Sequence, residues 1–101
     1  YLINIRILIS GRYSKVLSYE KLKLKKAVNN FSEKMENRLL EKADEGYSGW
    51  DEKTKDMKEF FEYGIIQDLR DILINNNETK ENYIDIANRA MFLARFCEED
   101  K

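Results

Sequence analysis

Apolar residues recur every three or four positions from Ser18 onwards, which is the spacing of one face of an α-helix. Ser18 can cap the N-terminus of such a helix, and Lys, Glu and Asn fill its other faces. The pattern therefore predicts a long amphipathic helix over residues 19–44. Its apolar stripe consists of Leu24, Val28, Phe31, Met35, Leu39 and Ala43.

Two further helices are predicted after a loop at residues 45–51. Gly46 and Gly49 mark this loop, because glycine tolerates the positive φ angles of tight turns. Thr54 can cap a second helix, which ends at the asparagines of residues 75–77, and Thr79 can cap a third. The second stripe is Met57, Phe61, Ile65, Leu69 and Ile72. The third stripe is Tyr83, Ile86, Ala87, Ala90, Leu93, Ala94 and Cys97.

Residues 1–17 form an apolar N-terminal segment with a different pattern. Isoleucines at positions 3, 5, 7 and 9 alternate with other residues, which favours a strand. Residues 10–12 are typical of a turn, and Tyr13 to Leu17 can return as a second strand, giving a hairpin. The alternative is an extra helix, because nine residues do not define a period.

The elements predict an all-α or mainly α fold. Residues 1–101 are expected to form one domain, with the apolar segment at 1–17 and a helical bundle at 18–101. Large apolar residues such as Phe60, Phe92 and Phe96 fall at the edges of the stripes or beyond them. More apolar faces than three helices need for a core predict a homo-oligomer.

The composition excludes several kinds of functional site. The chain has no histidine and one cysteine, which excludes histidine catalysis and a zinc site built on Cys and His. Its 18 basic and 19 acidic residues give no overall attraction to nucleic acid or to a membrane. No apolar run reaches transmembrane length, so a cytoplasmic location is the default expectation. A local basic stretch remains at Lys21, Lys23, Lys25 and Lys26, which is either a solvated helix start or a phosphate contact.

Acidic residues on the second and third helices are candidates for metal binding. Asp68 and Asp71 lie three residues apart and share a helix face, and Asp85 lies on the next helix. If the helices pack antiparallel, the three carboxylates can converge on Mg²⁺ or Mn²⁺, which prefer oxygen ligands. The alternative, that they are solvated, is favoured by spacing alone because charged residues usually lie outside.

Two runs of sequence resemble MazG-like nucleotide pyrophosphohydrolases, a family found as small phage and bacterial proteins. The run from Phe31 to Trp50 is similar to the first helix and Gly-Trp loop of that family. The run from Tyr83 to Ala94 is similar to its last core helix, where an Asp-Val-Ala-Asn-Phe-Ala-Met-Met pattern is usual. The resemblance covers about residues 28–97.

The resemblance implies an all-α fold that cleaves nucleoside triphosphates with Mg²⁺. The family's acids follow a Glu-Glu-x-x-Glu and a Glu-x-x-Asp pattern, for which this chain has Gln67-Asp68-x-x-Asp71 and Asn82-x-x-Asp85. Asp68, Asp71 and Asp85 would hold metal, and Asn82 would hydrogen-bond metal-bound water. Because only Asp85 matches the pattern, the expectation is an impaired or lost activity.

Two aromatic residues of the loop complete the expected site. Trp50, with Tyr47, can stack on a nucleotide base, whereas the favoured alternative for Trp50 is an anchor that plugs the end of the bundle. The chain is thus expected to be a nucleotide- or protein-binding module. An active Mg²⁺-dependent pyrophosphohydrolase and a small nucleic-acid-binding protein are the alternatives.

Overall fold

Three α-helices account for most of the chain. The computed structural model describes the backbone of residues 11–98 and the side chains of residues 18–98. Helix α1 spans Gly11–Asp44, α2 spans Lys55–Leu73 and α3 spans Lys80–Phe96. No strand occurs in the described part, which confirms the predicted helical class. None of these helices combines the length with the apolar character that crossing a membrane requires.

Helix α1 begins earlier than the sequence pattern predicted. The return strand predicted from Tyr13 to Leu17 is wrong, as is the turn at residues 11–12, because Gly11 to Leu17 belong to α1 and so follow the helical alternative. Extending an existing helix fixes one residue per hydrogen bond, whereas a two-stranded hairpin is marginal by itself. No proline interrupts the run. The strand predicted for residues 1–9 lies outside the described residues.

The predicted caps Thr54 and Thr79 and the predicted loop glycines are confirmed, whereas the predicted cap Ser18 is wrong because it lies inside α1. Thr54 Oγ1 accepts a hydrogen bond from the Met57 amide at 3.1 Å, and Thr79 Oγ1 accepts one from the Asn82 amide at 3.2 Å. Both threonines have extended backbones and satisfy a free amide at a helix start. Gly46 has φ 97°, a conformation that only glycine adopts without strain, and it follows the last residues of α1.

The chain divides into two compact units, residues 1–32 and residues 33–101. In the described side chains of the first unit, residues 18–32, nearly every residue is exposed. Leu24 and Val28 are among the exposed side chains, so the predicted core stripe is wrong for these two positions. Of the remaining stripe residues, Ala43 is also exposed, and Phe31, Met35 and Leu39 are partly covered.

The second unit has a small core between α2 and α3. Its buried apolar side chains are Phe61, Ile72, Ile84 and Phe92. The rings of Phe61 and Phe92 lie 5.0 Å apart between centroids, and each buried side chain of this kind contributes about 1.5–3 kcal/mol. The core therefore depends on few residues, and most large apolar side chains of the unit keep part of their surface exposed.

Helix α3 buries a different face from the predicted one. Ile84, Asn88 and Phe92, spaced by four residues, are buried. By contrast, Tyr83 and Cys97 of the predicted stripe are exposed. The two faces lie roughly on opposite sides of the helix, at about 100° of rotation per residue. The helix is apolar on both sides, so its period does not identify the buried one.

Candidate functional site

An open groove of about 650 Å³ lies in the second unit. It is bordered by the end of α1, the loop after it, and facing parts of α2 and α3. This volume falls within the range of small-molecule sites, which is about 300–1,000 Å³. Most of its lining is apolar and aromatic. The polar side chains that line it are Arg38, Lys42, Ser48, Asp85, Asn88 and Arg89.

Trp50 lies in the groove and packs on α3. Its ring stacks on Phe92 with centroids 5.3 Å apart and an interplanar angle of 26°, and the Arg95 guanidinium carbon lies 4.7 Å from the Trp50 ring centroid. The side chain nevertheless stays 46% exposed. Trp50 therefore combines an anchoring contact with an aromatic surface that a ligand can reach.

Tyr47 forms a second exposed aromatic surface in the groove. Its side chain is 63% exposed, and the Lys42 ammonium lies 5.0 Å from its ring centroid. A cation over an aromatic face is attracted to the ring electrons, and this cation–π interaction contributes about 0.5–1 kcal/mol at exposed sites. The structure thus places both residues predicted to contact a base in one groove, with a cation beside each ring.

An ion pair links α1 to α3 at the groove. Arg38 donates from Nε to Asp85 Oδ1 at 3.1 Å and from Nη2 to Asp85 Oδ2 at 3.4 Å. This two-fold contact, together with the nearby charge of Glu41, raises the pKa of the Arg38 guanidinium, and the bond to Asp85 is the largest cause. Asp85 therefore has a cationic partner on both of its oxygens.

A second ion pair links α2 to α3. Arg89 Nη1 donates to Asp68 Oδ2 and also to the Gly64 carbonyl oxygen at 3.4 Å. A Cβ atom at Gly64 would lie 2.5 Å from Arg89 Nε, so glycine at this position makes room for the guanidinium. Burial raises the pKa of the Asp68 carboxyl, Arg89 opposes that rise, and the charges of Asp85 and Asp71 add to it.

The other two predicted ligands have separate partners outside the groove lining. Asp71 Oδ1 accepts hydrogen bonds from Gln67 Nε2 at 3.3 Å and Asn75 Nδ2 at 3.0 Å. Asn82 Nδ2 donates to the Asn77 carbonyl oxygen at 2.8 Å. Neither residue is among those that border the groove.

Asp71 and Asp85 are thus near enough to Asp68 to raise its pKa, but each of the four predicted ligands is bonded elsewhere. Among the described side chains, no group of three or more carboxylates or thiols is arranged to hold a metal ion. Of the four predicted ligands, only Asp85 lines the groove that contains Trp50 and Tyr47. Binding of Mg²⁺ by Asp68, Asp71, Asp85 and Asn82 stays a prediction.

Asn88 is the buried polar residue of the groove. It is 4% exposed, and its Nδ2 donates to the Met35 carbonyl oxygen at 3.2 Å. Its Oδ1 has no hydrogen-bond partner within the described chain. A buried acceptor without a partner costs about 1–3 kcal/mol, so Asn88 Oδ1 lowers the free energy of unfolding.

The basic stretch at the start of α1 does not form one charged face. At 100° per residue, Lys21, Lys23, Lys25 and Lys26 point around several sides of the helix. Lys23 Nζ lies 2.6 Å from Glu20 Oε1, and this bond raises the pKa of Lys23. The stretch therefore presents scattered charges, one of which is already paired.

Sequence reasoning missed the cations and the amide of the groove. Arg38, Arg89 and Asn88 carry no motif by themselves, although Asp85, Asn88 and Arg89 share a helix face through their spacing of three and four residues. That spacing was the available signal.

No family model matches the chain, and neither a curated protein nor a solved structure matches it significantly.

Proposed function

We propose that this chain is a helical binding module that accepts a nucleotide in the groove. The observation that carries the proposal is the meeting of Tyr47 and Trp50 with three cationic side chains on one open cavity. Those cations are Arg38, Lys42 and Arg89, against a single carboxylate, Asp85, in the lining. Aromatic rings bind the faces of bases, and arginine and lysine bind phosphate.

The groove offers a distinct contact for each part of a nucleotide. The base stacks on the exposed surface of Tyr47 or Trp50, which is worth about 1–3 kcal/mol per base. Lys42, beside Tyr47, neutralises a phosphate, which would replace its present partner Glu45 Oε2 at 3.7 Å from Lys42 Nζ.

We further propose that pyrophosphohydrolase activity of the MazG-like kind is impaired or lost. Arg38 and Arg89 place positive charge against Asp85 and Asp68, two of the carboxylates that the resemblance would assign to Mg²⁺. A cation would have to displace a guanidinium from each of them. The module would then bind a nucleotide in the cytoplasm, with its hydrolysis impaired or lost.

Trp50 makes the proposal directly testable, because it is the only tryptophan of the chain and lies in the groove. Titration with dATP or dUTP, with and without Mg²⁺, should change the Trp50 emission in a saturable manner. Replacing Tyr47→Ser should weaken binding about tenfold, since about 1.4 kcal/mol of lost stacking corresponds to a factor of ten.

Tyr19 provides a matched control on α1. It is 62% exposed, and Lys23 Nζ lies 4.9 Å from its ring centroid, so it reproduces the surroundings of Tyr47 without bordering the groove. Tyr19→Ser should leave the titration unchanged. Equal effects of the two variants, or an emission indifferent to every nucleotide, would contradict nucleotide binding in this groove.

Turnover distinguishes the binding module from an active enzyme. Pyrophosphate release at high Mg²⁺ should not exceed that of a variant in which Asp68, Asp71 and Asp85 are all replaced by alanine. Release that disappears in this variant would establish the enzyme instead. The largely apolar lining favours a protein partner as the second candidate, and indifference to nucleotides together with retained folding would point to it.

A further inference from the structure

Helix α2 carries a second apolar stripe on the side away from α3. Ile66, Leu69 and Leu73 follow one another at spacings of three and four residues and are 51%, 41% and 74% exposed. The buried residues Phe61 and Ile72 lie on the other side of the helix, more than about 90° away for Ile66 and Leu73. The stripe is therefore distinct from the core and from the groove, whose lining contains none of its members.

Charged residues are placed symmetrically about the centre of this stripe. Glu62 precedes Ile66 by four residues, and Arg70 follows it by four. Both lie on the same side of α2 as Ile66, about 40° to either side of it. Neither has an ion-pair partner among the described residues, and both are exposed.

We infer that this stripe binds a second copy of the chain, with the two α2 helices antiparallel about a two-fold axis at Ile66. In that arrangement Ile66 meets its own counterpart, and Glu62 of one copy lies at the same height as Arg70 of the other. The symmetry creates this charge match twice. Parallel helices would place Glu62 against Glu62, which is repulsive.

The apolar area also suits association between two copies. Tyr63 flanks the stripe and is exposed, as is Ile74 at its end. Together with Ile66, Leu69 and Leu73 they expose several hundred Å² of apolar side chain, as large as the biggest apolar patches of typical monomers, which are about 300–600 Å². Covering such a patch on two copies reaches the lower range of specific interfaces, about 1,200 Å² in total.

The first test measures the molecular mass of the chain by light scattering or sedimentation over a range of concentrations. The chain should be a dimer, and Leu69→Glu should shift dimer formation to at least tenfold higher concentration. Leu40→Glu is the matched control, because it adds the same charge at an exposed leucine of the groove. A monomer at all concentrations, or a dimer broken by Leu40→Glu and not by Leu69→Glu, overturns the inference.

The second test determines the direction of the helices by disulfide formation, in a Cys97→Ser background that removes the native thiol. Ile66→Cys should give a covalent dimer on oxidation. Leu73→Cys should not, because an antiparallel pair separates the two positions by about 21 Å at 1.5 Å per residue. Cross-linking by both variants would show parallel helices, and cross-linking by neither would show that the interface lies elsewhere.

Exchange of the charges completes the test. Arg70→Glu alone should weaken the dimer, since it faces Glu62 of the other copy with a like charge. The double variant Glu62→Arg with Arg70→Glu should restore the wild-type mass distribution. A double variant as weak as the single one would remove the proposed pairing of these two residues.

Discussion

Gly64 lies in the middle of α2, where alanine would normally be the more stable residue. Replacing an interior helical glycine by alanine stabilises a helix by about 1 kcal/mol. Here the added methyl group would lie 2.5 Å from Arg89 Nε, 2.8 Å from its Cδ and 2.9 Å from its Cζ. Carbon and nitrogen atoms do not approach so closely, so Arg89 must move when Gly64 is replaced.

A movement of Arg89 would break its contacts with α2. The guanidinium would lose the ion pair with Asp68 and the hydrogen bond to the Gly64 carbonyl oxygen. Hydrogen bonds that involve charged groups contribute about 1.5–3 kcal/mol when partly buried, and the Asp68 side chain is only 14% exposed. Gly64→Ala should therefore destabilise the chain by about 0.5–2 kcal/mol, although it improves helix propensity.

The effect should reverse when Arg89 is absent. In an Arg89→Ala background there is no side chain to displace, so Gly64→Ala should stabilise by about 1 kcal/mol through propensity alone. The coupling free energy between the two positions is then about 1.5–3 kcal/mol. A double-mutant cycle of urea unfolding midpoints, with all four proteins at one concentration, measures it. If Gly64→Ala stabilises both backgrounds equally, Gly64 does not position Arg89 and the argument is refuted.

Two more predictions concern buried polar groups. Because burial raises the pKa of Asp68 in the folded chain, ionised Asp68 costs stability at neutral pH, and this cost disappears as the pH falls through the raised pKa and below the unfolded value of 3.8. The free energy of unfolding of the wild type should therefore rise relative to that of Asp68→Asn between pH 7 and pH 4, as urea unfolding of both proteins would measure, and a difference that stays constant or falls would contradict the raised pKa. Asn88→Leu removes an unpaired Oδ1 and should leave stability unchanged or raise it by about 1–2 kcal/mol, whereas Asn88→Asp should lower it by more than about 2 kcal/mol. Thermal unfolding of the two variants distinguishes these outcomes, and a leucine variant as unstable as the aspartate variant would contradict them.

Local signals in the sequence predicted three helices and the starts of α2 and α3. Thr54 and Thr79 cap α2 and α3 as predicted, because a threonine oxygen satisfies a free amide whatever the rest of the fold does. Gly46 likewise adopts the positive φ that its position required. The start of α1 was missed because propagation of a helix depends on the helix already formed downstream, which short-range alternation of apolar residues does not reveal.

Local sequence signals did not identify the buried face of α3. Asp85, Asn88 and Arg89 made the true face look polar, and the row of alanines made the opposite face look like a core. In the structure the charges of Asp85 and Arg89 are compensated by Arg38 and Asp68 from neighbouring helices. A charge pairs across helices only once their packing is known, so periodicity favoured the wrong side.

The same pairing connects the fold to the proposed function. The resemblance to MazG-like proteins drew attention to the carboxylates as ligands of a cation, and it found Tyr47, Trp50 and Asp85, which do border one groove. It gave no reason to look at Arg38, which lies opposite Asp85 and has no place in the family's acidic pattern.

An arginine that bonds both oxygens of a carboxylate holds two helices together and at the same time takes the place that a divalent cation would need. Arg38 does this for Asp85, whereas Arg89 bonds one oxygen of Asp68 and the Gly64 carbonyl oxygen. Removing one partner of such a pair leaves a buried charge, which is more costly than keeping both. In this chain, then, the ion pairs that join α1 and α2 to α3 use two of the carboxylates that were predicted to bind a cation.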